Sequence, residues 1–254
     1  MKIVFLGAVK YAGIYKESLK KAGHKVFVKK TLDNLNKELE TIAPDLGIIA
    51  CFGKIIPENI LKIPKHGFLN IHPSLLPRWR GPSPVRSALL AGDKETGVTI
   101  HITTPKVDTG DIISQKEFLI SPDDNYVTLE EKLFKEGANM LPDAIQNWLK
   151  GDIKPQKQDE SKATYSKKAR TEDGLIDWSK TPTEIVNQIR AFSPDPGVYT
   201  LINGKRLKIK KAEIIENKLK LLIVQPEGKK DMSWEAYLRG HKEILSNQFL
   251  KSLF

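Results

Sequence analysis

Along residues 1–50 the apolar positions switch between two periods. Lys2 to Leu6 is a short apolar run closed by Gly7, the pattern of a buried strand. Tyr11 to Ala22 carries a helical pattern that ends at Gly23. Lys25 to Val28 alternates like a strand, and Leu32, Leu35, Leu39 and Ile42 recur at helical spacing. Leu46 to Ala50 is continuously apolar, as strands inside a parallel sheet are. This order predicts an α/β fold built on a doubly wound, mainly parallel sheet. The start MKIVFLGAV also has the apolar core of a signal peptide, but turn residues and charges follow at once, which favours a first strand.

The alternation continues. Pro57 opens a short helix over ENIL, Phe68 to Ile71 reads as a strand, and Val85 to Ala91 as a helix stopped by Gly92-Asp93. Val98 to Thr103 and Ile112 to Ile120 read as strands. Thr128 and Glu131 form a capping-box pattern, followed by a stripe through Leu129, Leu133, Met140, Leu141, Ile145 and Trp148. Gly137 and Pro142 are expected to kink or divide that helix. Residues 151–168 turn polar and lysine-rich, the composition of an interdomain linker between a domain at 1–150 and one at 169–254. In the latter, Thr181-Pro182-Thr183-Glu184 is a capping box, and Ile185, Ile189 and Phe192 share one helical face. Val198 to Ile202, Asn203-Gly204 and Arg206 to Ile209 form a hairpin signal, and Lys218 to Val224 is a further strand. Short strands with little helix predict a small β-barrel.

Composition adds a few constraints. At 254 residues the chain suits one large domain or two smaller ones, and no apolar run reaches the roughly 18 residues of a membrane helix. Cys51 is the sole cysteine, so no intrachain disulfide forms and a reducing cytoplasm fits; within IIAC it reads as a core residue, not a nucleophile. The net charge of +10 favours a polyanionic partner such as RNA, beside the plainer reading of a solvated, lysine-rich surface. The turn GAVKYAG lacks both the GxGxxG spacing and a Gly-Lys-Ser/Thr ending, so no nicotinamide or nucleoside triphosphate cofactor is expected. The five histidines show no ligand-like spacing, so no metal is expected.

The chemistry concentrates in GFLNIHPSLLPRWRG, Gly67 to Gly81. Asn70 and His72 stand two apart at a strand end and project to the same side. With Asp108 of TPKVDTGDI beside them, Asn70 would supply an oxyanion donor, His72 a proton carrier near neutrality, and Asp108 a partner for the imidazole. Ser74 lacks the Gly-x-Ser-x-Gly elbow of a covalent nucleophile, so the set suits direct attack by a substrate nucleophile on a carbonyl carbon. Each residue also has a plainer reading: Asn70 as a turn cap, His72 as a loop histidine, Asp108 as the closure of an Asp-Thr-Gly turn.

NIHPSLLPRWRG, followed by AGDKETGVTI and VDTGDI, resembles the folate-dependent formyltransferases, most closely those acting on methionyl-tRNA. EDGLIDWSK, IRAFSPDPGVYT, GKRLKIKKAEI and VQPEGKKDMSWEAYLRGH resemble their C-terminal domain. The resemblance implies a Rossmann-like N-terminal domain and a C-terminal barrel similar to an OB fold. It implies transfer of a formyl group from 10-formyltetrahydrofolate to the α-amino group of methionyl initiator tRNA; a cytoplasmic location, a monomeric state and no membrane partner are expected beside it. Asn70, His72 and Asp108 map onto the family's catalytic residues. Ser74, Leu75, Leu76 and Pro77 map onto its tetrahydrofolate site, and Phe52, Gly53, Ile55, Ile56 and Thr104 onto the walls of its pterin pocket. Arg78 and Arg80 beside the site, and Lys205, Arg206 and Lys208 in the second domain, are candidate tRNA contacts.

Two departures stand out. About a dozen residues, Lys29 to Glu40, replace a longer family segment that includes a basic loop gripping the tRNA acceptor end, and Val9-Lys10-Tyr11 replace a proline-aspartate-phenylalanine. They keep two other readings open: an N-formyltransferase acting on an amino sugar nucleotide, and an RNA-binding protein with a vestigial site.

Overall fold

A computed structural model of the chain describes residues 1–7 and 9–241; residues 242–254, which the sequence reading assigns to the second domain, lie outside the described residues. The chain divides into two compact units. The first comprises Met1–Val85, Lys94–Ser121 and Thr128–Lys167, and the second Arg86–Asp93, Pro122–Val127 and the chain from Lys168 onward.

The first unit is built on strands β1 (Lys2–Gly7), β2 (Lys25–Lys29), β3 (Leu46–Ala50), β4 (Phe68–His72), β5 (Glu95–Ile102) and β6 (Ile112–Leu119). The helices up to residue 150 are α1 (Val9–Lys21), α2 (Leu35–Ile42), α3 (Glu58–Leu61), α4 (Pro84–Ala91) and α5 (Tyr126–Lys150). The sheet order is β2-β1-β3-β4-β5-β6; the first four strands run parallel, and β5 and β6 are antiparallel to their neighbours. β2 passes into α2 through Lys30–Asn34, the structural form of the short segment after the second strand.

Alternation assigns the two faces. Ile3, Phe5, Ile48, Leu69, Ile71 and Ile100 pack with Tyr15 and Leu19 of α1 and Phe134, Leu141 and Ile145 of α5. On the opposite face Val4, Leu6, Ile49 and Phe68 meet Leu35 and Leu39 of α2 and Ile60 and Leu61 of α3. After Phe68 that second face turns polar, and the site begins there.

Three expectations are corrected. Cys51 is exposed with φ of 53°, because β3 ends one residue earlier at Ala50 and the chain turns out of the core. Thr128 does not cap α5, which already starts at Tyr126. Of the kink or division expected at Gly137 and Pro142, the division does not occur; both lie inside one 25-residue element. Proline has no N–H for the carbonyl four residues back. In its place the Ser18 hydroxyl of α1 donates to the Ala138 carbonyl at 2.6 Å. A Cβ at Gly137 would sit 2.7 Å from Ile71 Cγ2 and 2.8 Å from the Tyr15 hydroxyl, so glycine permits the close approach of α5 to the sheet.

Residues 151–167, linker-like in composition, belong to the first unit. Gln156 and Ile112 exchange two backbone hydrogen bonds of 2.8 Å. Farther along, Arg80 N–H donates to the Thr164 carbonyl at 2.9 Å and Ser166 N–H to the Arg80 carbonyl at 2.7 Å.

The second unit holds α6 (Pro182–Phe192), β7 (Val198–Ile202), β8 (Lys205–Ile215), β9 (Lys218–Pro226), β10 (Met232–Ser233) and α7 (Trp234–Gly240). The capping box at Thr181 is made, Thr181 N–H donating to Glu184 Oε2 at 2.9 Å and Glu184 N–H to Thr181 Oγ1 at 3.3 Å. The strands of the expected barrel form a four-stranded antiparallel sheet, β10-β9-β8-β7. Asn203 and Gly204 turn β7 into β8 with φ of 50° and 77°, the positive values a type I′ turn needs.

Candidate active site

The site is set by one antiparallel pairing. Asn70 of β4 lies opposite His101 of β5, and His72 opposite Thr99. Cross-strand partners share a face, so all four side chains emerge on the polar side of the sheet. A register shift in the β5–β6 pairing falls between Ile100 and His101, at the level of Asn70. The loop from Thr103 to Asp111 then folds back over this face and delivers Asp108, whose φ is 52°. That region disfavours most side chains but is tolerated by aspartate.

The contacts form a closed set. Asn70 Nδ2 donates to Asp108 Oδ1 at 3.1 Å and lies 3.1 Å from His101 Nε2. His101 Nδ1 is 3.0 Å from the Ile102 carbonyl, which can only accept, so Nδ1 carries the proton and Nε2 accepts from Asn70. By the same logic His72 Nε2 donates to the Trp79 carbonyl at 2.9 Å. Its Nδ1 lies 3.5 Å from Asp108 Oδ2, which also accepts the Gly81 N–H at 2.8 Å.

Charge follows from this geometry. Burial pushes the His72 imidazole below the ordinary histidine range, against an upward pull from Asp108 and the Trp79 carbonyl. Burial alone would raise the Asp108 carboxyl. His72, His101 and the Gly81 N–H outweigh it and hold that carboxyl well below the usual carboxylate range. The site therefore pairs a fixed anion with an imidazole that is neutral near pH 7.

The other sequence candidates divide by exposure. Ser74 and Leu76 are buried and turned inward. Ser74 Oγ donates to the Arg78 carbonyl at 2.6 Å, Thr99 Oγ1 to the Ser74 carbonyl at 2.6 Å, and Leu76 N–H to Thr99 Oγ1 at 3.2 Å. Leu75, half-buried, packs where a Cβ on Gly97 would come within 2.3 Å, and Pro77 is half-buried. This loop is thus pinned onto β5. Ile56 belongs to the core below α3. Phe52 is half-buried, Ile55 and Val107 are exposed, and Gly53 has open space around its missing Cβ at φ of 68°. Thr104 is half-buried and donates to the Lys106 carbonyl at 2.9 Å. Because β3 and β4 are parallel neighbours, the segment Phe52–Ile55 leaves the sheet beside Pro73–Pro77.

Arg78 is exposed, with its guanidinium 4.5 Å over the Trp79 ring. Arg80, expected as a tRNA contact, is fully buried: its Nη atoms donate to Glu160 at 2.7 and 2.9 Å, and Nε and Nη2 to Gln158 Oε1 at 3.1 and 2.8 Å. A guanidinium enclosed by protein acceptors does not face a phosphate. In the second unit Lys205 and Arg206 are exposed at the β7–β8 turn, and Lys208 is half-buried. Sequence reading missed His101, Gly81 and Gln158. For His101 a signal existed, since VTIHIT alternates and places Thr99 and His101 together.

Residues 5–145 match the family model described as "Formyl transferase", and residues 168–220 the one described as "Formyl transferase, C-terminal domain". The chain belongs to the formyl transferase family. It is 41% identical over 234 residues to the methionyl-tRNA formyltransferase of Bacillus subtilis (strain 168), covering 81% of this chain and 74% of that protein. Among solved structures it resembles the methionyl-tRNA formyltransferase from Clostridium thermocellum, with a TM-score of 0.70 at 21% identity over 89% of this chain and 98% of that one. It also resembles WlaRD, a sugar 3N-formyl transferase solved in the presence of dTDP and 5-N-formyl-THF, with a TM-score of 0.66 at 25% identity over 92% and 97% of the two chains. In this formyl transferase the matched N-terminal range contains Asn70, His72, His101 and Asp108 together.

Proposed function

We propose that this formyl transferase moves a formyl group from 10-formyltetrahydrofolate to the α-amino group of methionine on initiator tRNA. The convergence of Asn70, His72 and Asp108 carries the reading, in a chain that is 41% identical to a methionyl-tRNA formyltransferase. The donor supplies a carbonyl carbon bonded to a nitrogen leaving group. As the amine attacks and the carbon–N10 bond breaks, one proton must leave the amine and one must reach N10. Asn70 offers N–H groups to the oxygen that gains charge. In the free protein both its hydrogens are held, by Asp108 and by His101. The hydrogen facing His101 is the one shared with that oxygen, since the bond to the Asp108 carboxylate is charge-assisted and such bonds are about twice as strong. His72 takes up the amine proton at Nδ1, where Asp108 stabilises the imidazolium, and gives it up to N10 as the carbon–N10 bond breaks.

For the donor, the half-buried Phe52 and the exposed Ile55 and Val107 offer apolar surface suited to a flat heterocycle, and the pinned Ser74–Pro77 loop offers backbone groups. Residues 1–150 carry this chemistry. The domain from 169 contributes Lys205, Arg206 and Lys208, with Arg78 beside the site, as contacts to the tRNA phosphates. The enzyme acts as a cytoplasmic monomer.

The likeness to a sugar formyltransferase and the short Lys30–Asn34 connection favour a second reading, with an amino sugar nucleotide as acceptor. One experiment separates them. Purified protein is given 10-formyltetrahydrofolate with either methionyl initiator tRNA or a panel of nucleotide-linked amino sugars. Formylmethionine on the tRNA is the expected product; faster turnover of a sugar nucleotide would overturn the assignment.

A further inference from the structure

Gln158 lies between the two ranges matched by the family models, in a segment whose composition reads as linker. Its carboxamide donates from Nε2 to the backbone carbonyls of Asp108 and Gly110, both at 2.8 Å. These two carbonyls bracket the turn that presents the Asp108 carboxylate. The turn has little latitude: Asp108 is in the left-handed region, and a Cβ at Gly110 would meet the Ile102 carbonyl at 1.7 Å. A non-glycine residue holds positive φ when surrounding contacts over-determine it.

The orientation of Gln158 is fixed from its other end. Oε1 accepts from Nε and Nη2 of Arg80, so the amide cannot flip without setting donors against donors. Glu160 completes the set by pairing with both Nη atoms of Arg80. Arg80 also immediately precedes Gly81, whose N–H holds Asp108 Oδ2. Two independent supports of the carboxylate, one through the backbone of Asp108 and one through Gly81, thus meet at a single buried guanidinium.

We propose that Gln158 is a positioning residue for the reaction: held by Arg80 and Glu160, it fixes the Asp108 turn so that the carboxylate reaches His72 and Asn70. The inference rests on the formyl-transfer reading of the site, and it assigns a function to a segment that links the domains in sequence.

The test uses the full chain with Gln158→Met, which keeps volume and removes both donors, and Glu160→Gln, which leaves Gln158 in place but weakens the Arg80 pair. In Gln158→Met, kcat falls about 10- to 100-fold, with KM for the donor changing less than about twofold, because ångström-scale misplacement acts on the chemical step. Glu160→Gln gives a smaller fall in the same direction. The second readout is the His72 ring titration, followed by nitrogen-detected NMR. The groups facing His72 are Asp108, His101 and the Trp79 carbonyl. When the carboxylate swings away, the His72 midpoint moves to lower pH. Unchanged kcat, or a thermal shift without any change in the His72 titration, would overturn the proposal. The NMR readout needs no acceptor, so a wrong tRNA assignment and a wrong role for Gln158 are told apart.

Discussion

The Asn70 carboxamide nitrogen and His101 Nε2 face one another across β4 and β5 at 3.1 Å, with the far nitrogen of His101 tied to the Ile102 carbonyl. The imidazole thus acts as a backstop that aims the amide. His101→Ala is expected to lower kcat about tenfold while leaving the fold intact, because loss of one hydrogen bond of about 1–1.5 kcal/mol frees the carboxamide to rotate. Steady-state kinetics beside circular dichroism check this. An unchanged kcat would mean that Asp108 alone orients Asn70.

Removing the amide itself has the larger effect. Asn70→Ala is expected to reduce kcat by about a hundred- to a thousandfold, the usual consequence of deleting one oxyanion donor. Single-turnover rates at saturating donor report it directly. A reduction confined to KM would assign Asn70 to binding instead.

Acidification is expected to destabilise the protein through two buried groups with the same sign. His72 titrates lower folded than unfolded, so between the two values the unfolded chain holds the extra proton. Its contribution is present above an unfolded pKa of about 6.5 and is lost as pH falls through the folded one. Asp108 is likewise depressed, so its contribution is present above about 3.9 and fades on further acidification. Urea midpoints between pH 7 and 5 should fall, and less steeply in His72→Asn. The acid limb of kcat/KM should centre below about 6.5, since the neutral imidazole is the active form.

On the second unit, the double change Lys205→Glu and Arg206→Glu is expected to raise KM for tRNA at least tenfold at low salt. It should also flatten the dependence of log affinity on log salt, with kcat unchanged at saturation. Filter binding across a salt series measures it. Equal affinity and equal slope would remove this turn from the RNA contact surface.

Gly137→Ala tests packing against propensity. Alanine gains about 1 kcal/mol in a helix interior over glycine. Its methyl group would overlap Ile71 and the Tyr15 hydroxyl, and overpacking costs about 1–3 kcal/mol. The net is expected to be destabilising, read as a lower urea midpoint with an unchanged slope.

Asn70 and His72 were legible because a two-residue spacing on a strand has one meaning whatever surrounds it. Asp108 became a partner through the motifs, but its distance to His72 depends on β5 lying beside β4 and on a loop that doubles back, which no local pattern encodes. Arg80 was misread for a related reason. A basic residue beside a site looks solvent-facing in sequence, and its acceptors Gln158 and Glu160 lie some eighty positions away. The continuity of α5 escaped for the same cause: Pro142 is a breaker locally, and the hydroxyl that satisfies the orphaned carbonyl comes from α1.

That hydroxyl gives the proline a use. With an N–H at position 142, α5 would close its own ladder at Ala138 and leave Ser18 less on that carbonyl to grasp. Here the gap in one helix is the handhold of another, so a substitution chosen to perfect α5 in isolation would loosen its grip on α1.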